Sequence, residues 1–107
     1  EMWQVMLLWE SVTAVDQELV AFVHAYDSNG ELIATGDGPP LDGAFTTPYW
    51  HPGDRILSTH TLVIPVEADT ETIGVGLYDP TSGTRVTASF VGNPLPNNTV
   101  VVWSAGE

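Results

Sequence analysis

Two segments of the chain share one pattern: an apolar run ending in Tyr-Asp, a short turn that contains glycine, and a second run of strand-forming residues. The segments are 19–35 and 73–90. Short apolar runs joined across such turns are typical of β-hairpins. The sequence between them shows no helical periodicity of apolar residues. The pattern therefore predicts an all-β chain with two hairpins.

Further strand-like runs complete this prediction. The run 2–9 carries apolar residues on both faces, which predicts a central strand or one that is covered on both sides. The run 19–26 is also apolar on both faces, and runs at 55–64 and 99–103 add further strands. About seven or eight strands in one domain, 1–107, predict an antiparallel two-sheet β-sandwich of the immunoglobulin or fibronectin-like kind.

Two glycines interrupt the first strand of the second hairpin. Gly74 and Gly76 alternate with apolar residues and therefore lie on the same face of that strand. Glycines placed this way usually mark the close approach of a neighbouring segment or a large side chain. We expect a tight contact on that face.

The charge balance excludes several classes of partner. Fourteen acidic residues stand against two arginines, with no lysine, which gives a net charge of −12. Binding to nucleic acid or to anionic lipid needs a basic patch and is not expected. No run approaches the ~20 apolar residues of a membrane span, so we expect no membrane insertion by this domain. The acidic surface is interpreted as a source of solubility, with attraction of divalent cations as the alternative.

The ends and the cysteine content add two expectations. The chain contains no cysteine, so neither a disulfide framework nor a thiolate metal site is available. It begins with Glu1 rather than Met and carries no signal peptide. We interpret it as a domain excised from a longer protein, or as a mature fragment of one.

The long irregular stretch 36–54 is the best candidate for a binding site. It contains Phe45, Tyr49 and Trp50, and loops of this length are often functional. An aromatic face beside carboxylates is suited to sugars, although adjacent aromatics on an extended chain point in opposite directions. In the alternative interpretation, Trp50 plugs the end of the sandwich and Pro-Gly-Asp turns into the next strand. The candidate ligand-binding residues are Tyr49, Trp50, His51, Asp37 and Asp54, with Asp42 as a further acceptor.

Metal sites are a weaker interpretation of the polar residues. The segment 27–31 resembles the opening of a calcium loop, but the twelfth position, which requires Glu, is Gly38. Asp and Asn there are better explained as turn formers. The three histidines, His24, His51 and His60, lie on different predicted elements without short ligand spacing. We expect no metal site and no cofactor.

Catalytic motifs are equally weak. Ser58 or Ser104 with His60 and an aspartate forms a nominal triad, but any all-β domain offers such combinations. The sequence has no Gly-x-Ser-x-Gly elbow and no cysteine nucleophile. We predict that the domain is not an enzyme and assign no catalytic residue.

Several motifs of the chain together carry a resemblance to a known family. They are Trp9, Phe22-Val23-His24, Asp27 to Gly30, Trp50 to Asp54, His60-Thr-Leu62 with Pro65, and Val75 to Gly83. These motifs resemble a domain of large bacterial membrane proteins, particularly from Chloroflexi-type bacteria. In those proteins the domain follows a polytopic region related to dolichyl-phosphate-mannose-type glycosyltransferases. The resemblance implies an extracytoplasmic β-sandwich appended to a membrane enzyme, without catalytic residues, and here without an upstream first strand.

Three functional hypotheses follow. The first is a non-catalytic extracytoplasmic accessory module that binds carbohydrate beside its glycosyltransferase-like parent, with a glycan or that parent as the partner. The second is a structural spacer or interaction domain that packs on its parent, which predicts an exposed apolar patch larger than the few hundred Å² usual for a monomer. The third is a calcium-stabilised adhesion-type domain.

Overall fold

The computed structural model describes residues 1–39 and 46–105. Every strand pair within this part is antiparallel, and apart from two short 3₁₀ turns, Thr47–Tyr49 and Pro96–Asn98, it contains no helix. The predicted all-β antiparallel fold is confirmed. The strands are β1 (Met2–Glu10), β2 (Val20–Asp27), β3 (Leu32–Thr35), β4 (Arg55–Val63), β5 (Thr70–Tyr78), β6 (Ser89–Phe90), β7 (Asn93–Pro94) and β8 (Val100–Ser104).

The strands form two main sheets with a common core. β1 pairs with β4, the order of the larger sheet is β3-β2-β5-β8, and β6 and β7 form a short separate pair. The buried cluster draws on β2, on β5 and on β4 with the residue that follows it, and side chains of β1 and β3 pack against it. Its buried members are Val23, Ala25, Leu62, Ile64, Ile73 and Val75. As predicted, β2 lies in the centre of its sheet.

This strand order matches part of the immunoglobulin arrangement. In that arrangement one sheet has the order A-B-E-D, and variable-type domains extend the G-F-C sheet by C′. By chain order, β1 and β4 take the places of B and E, while β2, β3, β5 and β8 take those of C, C′, F and G. Within the described residues, no strand takes the place of A or D.

A buried chain of hydrogen bonds joins the two sheets. The Trp9 indole N–H donates to Ser58 Oγ (2.9 Å), and Ser58 Oγ lies 2.9 Å from His60 Nε2. His60 Nδ1 lies 2.9 Å from the carbonyl oxygen of Gly36, which follows β3. Because a carbonyl only accepts, Nδ1 carries the hydrogen, and Nε2 of the neutral imidazole accepts from the Ser58 hydroxyl.

The first predicted hairpin is confirmed, and its turn explains the Asp-Ser-Asn-Gly sequence. β2 pairs with β3, and the Asp27 carboxylate accepts hydrogen bonds from the backbone N–H groups of Asn29 and Glu31. Gly30 has a φ of +81°, a conformation that glycine adopts without strain. The acidic residue is therefore a turn former.

The second hairpin is only partly as predicted. Its turn forms, with the Asp79 carboxylate accepting from the N–H of Thr81, and a single bridge joins Tyr78 to Arg85. The prediction of a strand over 84–90 is wrong beyond that bridge, since only Ser89 and Phe90 form a strand, β6, and they pair with β7. The strand that pairs with β5 on this side is β8.

The two glycines of β5 leave room for β8 and for the residues just before it, Asn98 and Thr99, to pack beside β5. A Cβ on Gly76 would overlap the ring of Phe22 and the carbonyl oxygen of Asn98, and one on Gly74 would overlap Thr99 Cγ2. The predicted close contact on this face is confirmed.

Candidate functional site

The loop that contains the predicted aromatic site is anchored from beneath. Thr47 is fully buried, and its hydroxyl donates to the carbonyl oxygen of Gln17 (2.7 Å) and accepts from the N–H of Leu19 (2.9 Å). Trp50, at the end of the 3₁₀ turn, is only 5% exposed. Its ring is therefore packed inside the domain, as in the alternative interpretation, and does not offer a face to a sugar.

Residues 51–54 form the predicted turn into β4. The N–H of Asp54 donates to the carbonyl oxygen of His51 (2.9 Å), with Pro52 and a positive-φ Gly53 (φ 94°) between them, as in a type II turn. The Asp54 carboxylate accepts from the N–H of His51 (2.8 Å), and Gly53 and Asp54 both hydrogen bond to the backbone of Ser11. Asp54 thus stabilises the turn.

Asp37 serves a different segment. Its Oδ1 accepts from the N–H of Val23 (3.1 Å) and lies 3.2 Å from His24 Nε2. His24 Nδ1 in turn lies 3.2 Å from the hydroxyl of Tyr26. Asp37 is therefore engaged with β2. Asp42 and Phe45 lie outside the described residues.

Of the five predicted ligand-binding residues, Trp50 is the one that is buried. Tyr49 is 68% exposed, His51 and Asp37 are exposed, and Asp54 is partly exposed. Both carboxylates are already hydrogen bonded to backbone N–H groups. Of the adjacent pair Tyr49 and Trp50, Tyr49 is therefore the residue whose ring is exposed to solvent. Trp50, Asp37 and Asp54 thus have structural roles, in packing and in hydrogen bonding to the backbone. The sequence pattern alone could not distinguish these roles from ligand binding.

The Ser58–His60 pair of the nominal triad is buried and, among the described residues, lacks a carboxylate partner. Ser58 and His60 are hydrogen bonded, but they are 1% and 4% exposed. The second ring nitrogen of His60 bonds a backbone carbonyl rather than the carboxylate that a triad uses. In residues 1–39 and 46–105, no group of three or more His, Cys, Asp or Glu side chains is placed to hold a metal ion.

The most unusual surface is the side of the β1–β4 sheet that faces away from the core, which we call the outer face. β1 lies at an edge, paired among the described strands with β4 alone, so the expectation of a central or doubly covered strand is wrong for this chain. The apolar side chains of β1 that point outward are 65–74% exposed. Those of β4 that point outward are 52–66% exposed. The apolar residues of the outer face are Met2, Met6, Leu8, Leu57 and Val63.

A cleft of about 500 Å³ lies between β1 and β8. Trp3 and Trp103 meet there edge to face, with ring centroids 5.1 Å apart. Val5 and Leu7 of β1 and Val102 of β8 also line it. We call this space the edge cleft. The sequence signal for both surfaces is the presence of apolar residues on both faces of β1.

In comparisons with protein-family models, with curated proteins and with solved structures, no match was found for this chain. None of the helical segments in the described residues is long and apolar enough to cross a membrane.

Proposed function

We propose that this domain is a non-catalytic interaction module that packs its outer face against another polypeptide surface. The observation that carries this proposal is the exposed set of five large apolar side chains on one two-stranded sheet. A group of large apolar side chains exposed on one sheet face is typical of an interaction site in a soluble protein. An extracytoplasmic location and a glycosyltransferase-like membrane parent belong to the proposal, supported by the motif resemblance alone.

Packing this face would contribute substantial free energy. Full burial of a Val, Leu or Met side chain is worth about 1.5–3 kcal/mol. All five residues keep more than half of their surface exposed, from 52% for Leu57 to 74% for Met2. Burying the remainder gives roughly 5–10 kcal/mol in gross terms, before the cost of association. That is ample for packing against a tethered partner.

The distribution of charge also fits an interface. The chain has a net charge of −12, yet the outer face carries charge only at one end, where Glu10 and Arg55 approach to 3.7 Å. The rest consists of the apolar side chains with Gln4, Thr59 and Thr61 between them. Protein interfaces are likewise depleted of charge at their centres.

Carbohydrate binding has less support than at the sequence level. Trp50, one of the two candidates for the ring that stacks on a sugar, is buried, and the nearby Asp54 is used by its own turn. Among the described residues of that loop, the exposed aromatic is Tyr49.

Site-specific photo-crosslinking in the producing cell tests the proposal. A benzoylphenylalanine at position 57, on the outer face, should form an adduct of defined mass with a polypeptide. The same group at position 49, in the exposed loop, is the matched control and should not. The adduct at position 57 should be lost when Leu8, directly opposite Leu57, is changed to Glu, provided that the variant keeps its melting temperature. An adduct insensitive to Leu8→Glu, or a glycan-array signal lost in Tyr49→Ala, would contradict this function.

A further inference from the structure

The hydrogen-bonding pattern of β1 shows which backbone groups are available at its edge. Glu1 and Ile64 exchange two backbone hydrogen bonds (2.8 and 3.0 Å). At the opposite end the N–H of Ser11 donates to the carbonyl oxygen of Asp54 (2.9 Å). Hydrogen-bonded and non-hydrogen-bonded pairs alternate along an antiparallel ladder. The backbone N–H and C=O groups of the odd-numbered residues of β1 therefore point towards β4. The N–H and C=O groups that point away from β4 belong to Met2, Gln4, Met6, Leu8 and Glu10.

These outward groups face an edge that no described strand occupies. On the inner side, the edge cleft leaves Trp3, Val5 and Leu7 only partly buried, although they face the core. On the outer side lie the exposed apolar residues of β1. A chain segment placed along β1 would therefore satisfy backbone groups and cover apolar side chains on both of its faces.

The topology identifies the same position independently. β1 corresponds to strand B of the immunoglobulin arrangement, in which strand A lies beside B on the side away from E. The free edge of β1 is thus the place of strand A, and β8, in the place of G, forms the other wall of the cleft.

Charge restricts what can bind there. The edge carries carboxylates at both of its ends, Glu1 and Glu10, and has no lysine or proline that would discourage pairing. A second copy would bring another net charge of −12 to the same edge. A neutral or basic segment is electrostatically preferred.

We propose that the free edge of β1 accepts an extended strand of about nine residues, the length of β1, from a polypeptide segment outside these 107 residues. Its residues alternate apolar and polar, the apolar ones filling the edge cleft, and it carries no net negative charge. This inference rests on the proposed interaction function and specifies the conformation of the bound segment.

The test uses a synthetic nine-residue peptide in which valine alternates with threonine between terminal lysines. Its matched control has the same sequence with N-methyl groups on alternate residues, which removes ladder donors and keeps the side chains. We expect NMR titration to place the amide shifts on the even-numbered residues of β1 and on Trp103. N-methylation should weaken binding more than tenfold, because several ladder bonds are lost together.

Protein variants provide the complementary comparison. Gln4 has its N–H directed to the edge, so Gln4→Pro removes one ladder donor without breaking a bond to β4. The affinity of Gln4→Pro for the peptide should be about three- to tenfold lower than that of Gln4→Ala.

Two peptide results would overturn strand addition. One is equal binding of the N-methylated peptide, and the other is absence of peptide binding at millimolar concentration. Dimerisation of the domain through β1 in place of peptide binding would also overturn it. None of these results would affect the outer-face adduct at position 57, which tests the proposed function separately.

Discussion

Replacement of Ser58 by alanine should be among the most destabilising single-atom deletions in this domain. The Ser58 side chain is 1% exposed, and its hydroxyl accepts from the Trp9 indole and donates to His60 Nε2. Ser58→Ala leaves both of these groups without that partner. A buried polar group that loses its hydrogen bond costs about 1–3 kcal/mol. Because Trp9 is only partly buried, we expect a total near 2–4 kcal/mol.

Urea denaturation followed by tryptophan fluorescence measures this loss, with Ser104→Ala as the control. Ser104 lies on β8 and is exposed, so its replacement should change the free energy of unfolding by no more than about 0.5 kcal/mol. For a domain of this size, the Ser58→Ala loss corresponds to a fall in melting temperature of roughly 8–30 °C. If Ser58→Ala matched the control, the hydrogen-bonded chain between the sheets would not contribute to stability as argued.

Two further substitutions test the contacts that fix the larger sheet. Gly76→Ala places a methyl group against an aromatic ring and a backbone oxygen, and should destabilise by about 1–3 kcal/mol in thermal melts. Gly38→Ala, where a Cβ meets nothing within 4 Å, is the matched control, and equal effects would contradict the packing argument. Asp37→Ala removes the acceptor of the Val23 N–H and the neighbour of His24, and should cost about 1–3 kcal/mol in the free energy of unfolding. A loss of glycan binding without a loss of stability in Asp37→Ala would instead favour the carbohydrate hypothesis.

Much of the fold was predictable because local chemistry specifies it. The turn 27–30 uses Asp, Asn and Gly as such turns require. β2 is apolar on both faces because both are covered: Val23 lies in the core cluster, and Phe22, on the opposite face, lies against Gly76. Gly74 and Gly76 predicted a close contact on one face of β5, and the structure contains it. In each case the residues themselves carry the constraint.

Three features could not be predicted from local sequence because they depend on distant segments. The arm 84–90 has strand-forming composition, but β8 occupies the edge of β5 that this arm would need. The pattern of β1 correctly shows apolar residues on both faces, yet periodicity alone cannot say whether a neighbour covers them. For the loop, sequence alone could not decide between burial and exposure of Trp50, since either fits a Tyr-Trp pair.

The acidic composition and the open edge of β1 are best understood together. Exposed edge strands invite pairing between identical molecules, and proteins usually discourage it with lysine, proline or a bulge. β1 contains no lysine or proline, and its pairing with β4 runs without a register shift across all nine residues. What remains to oppose pairing between copies is the net charge of −12, which acts on every pair of identical molecules and spares a neutral or basic segment. The proposed acceptor edge of β1 is thus compatible with the acidic composition, because the charge opposes pairing between copies and favours a neutral or basic strand.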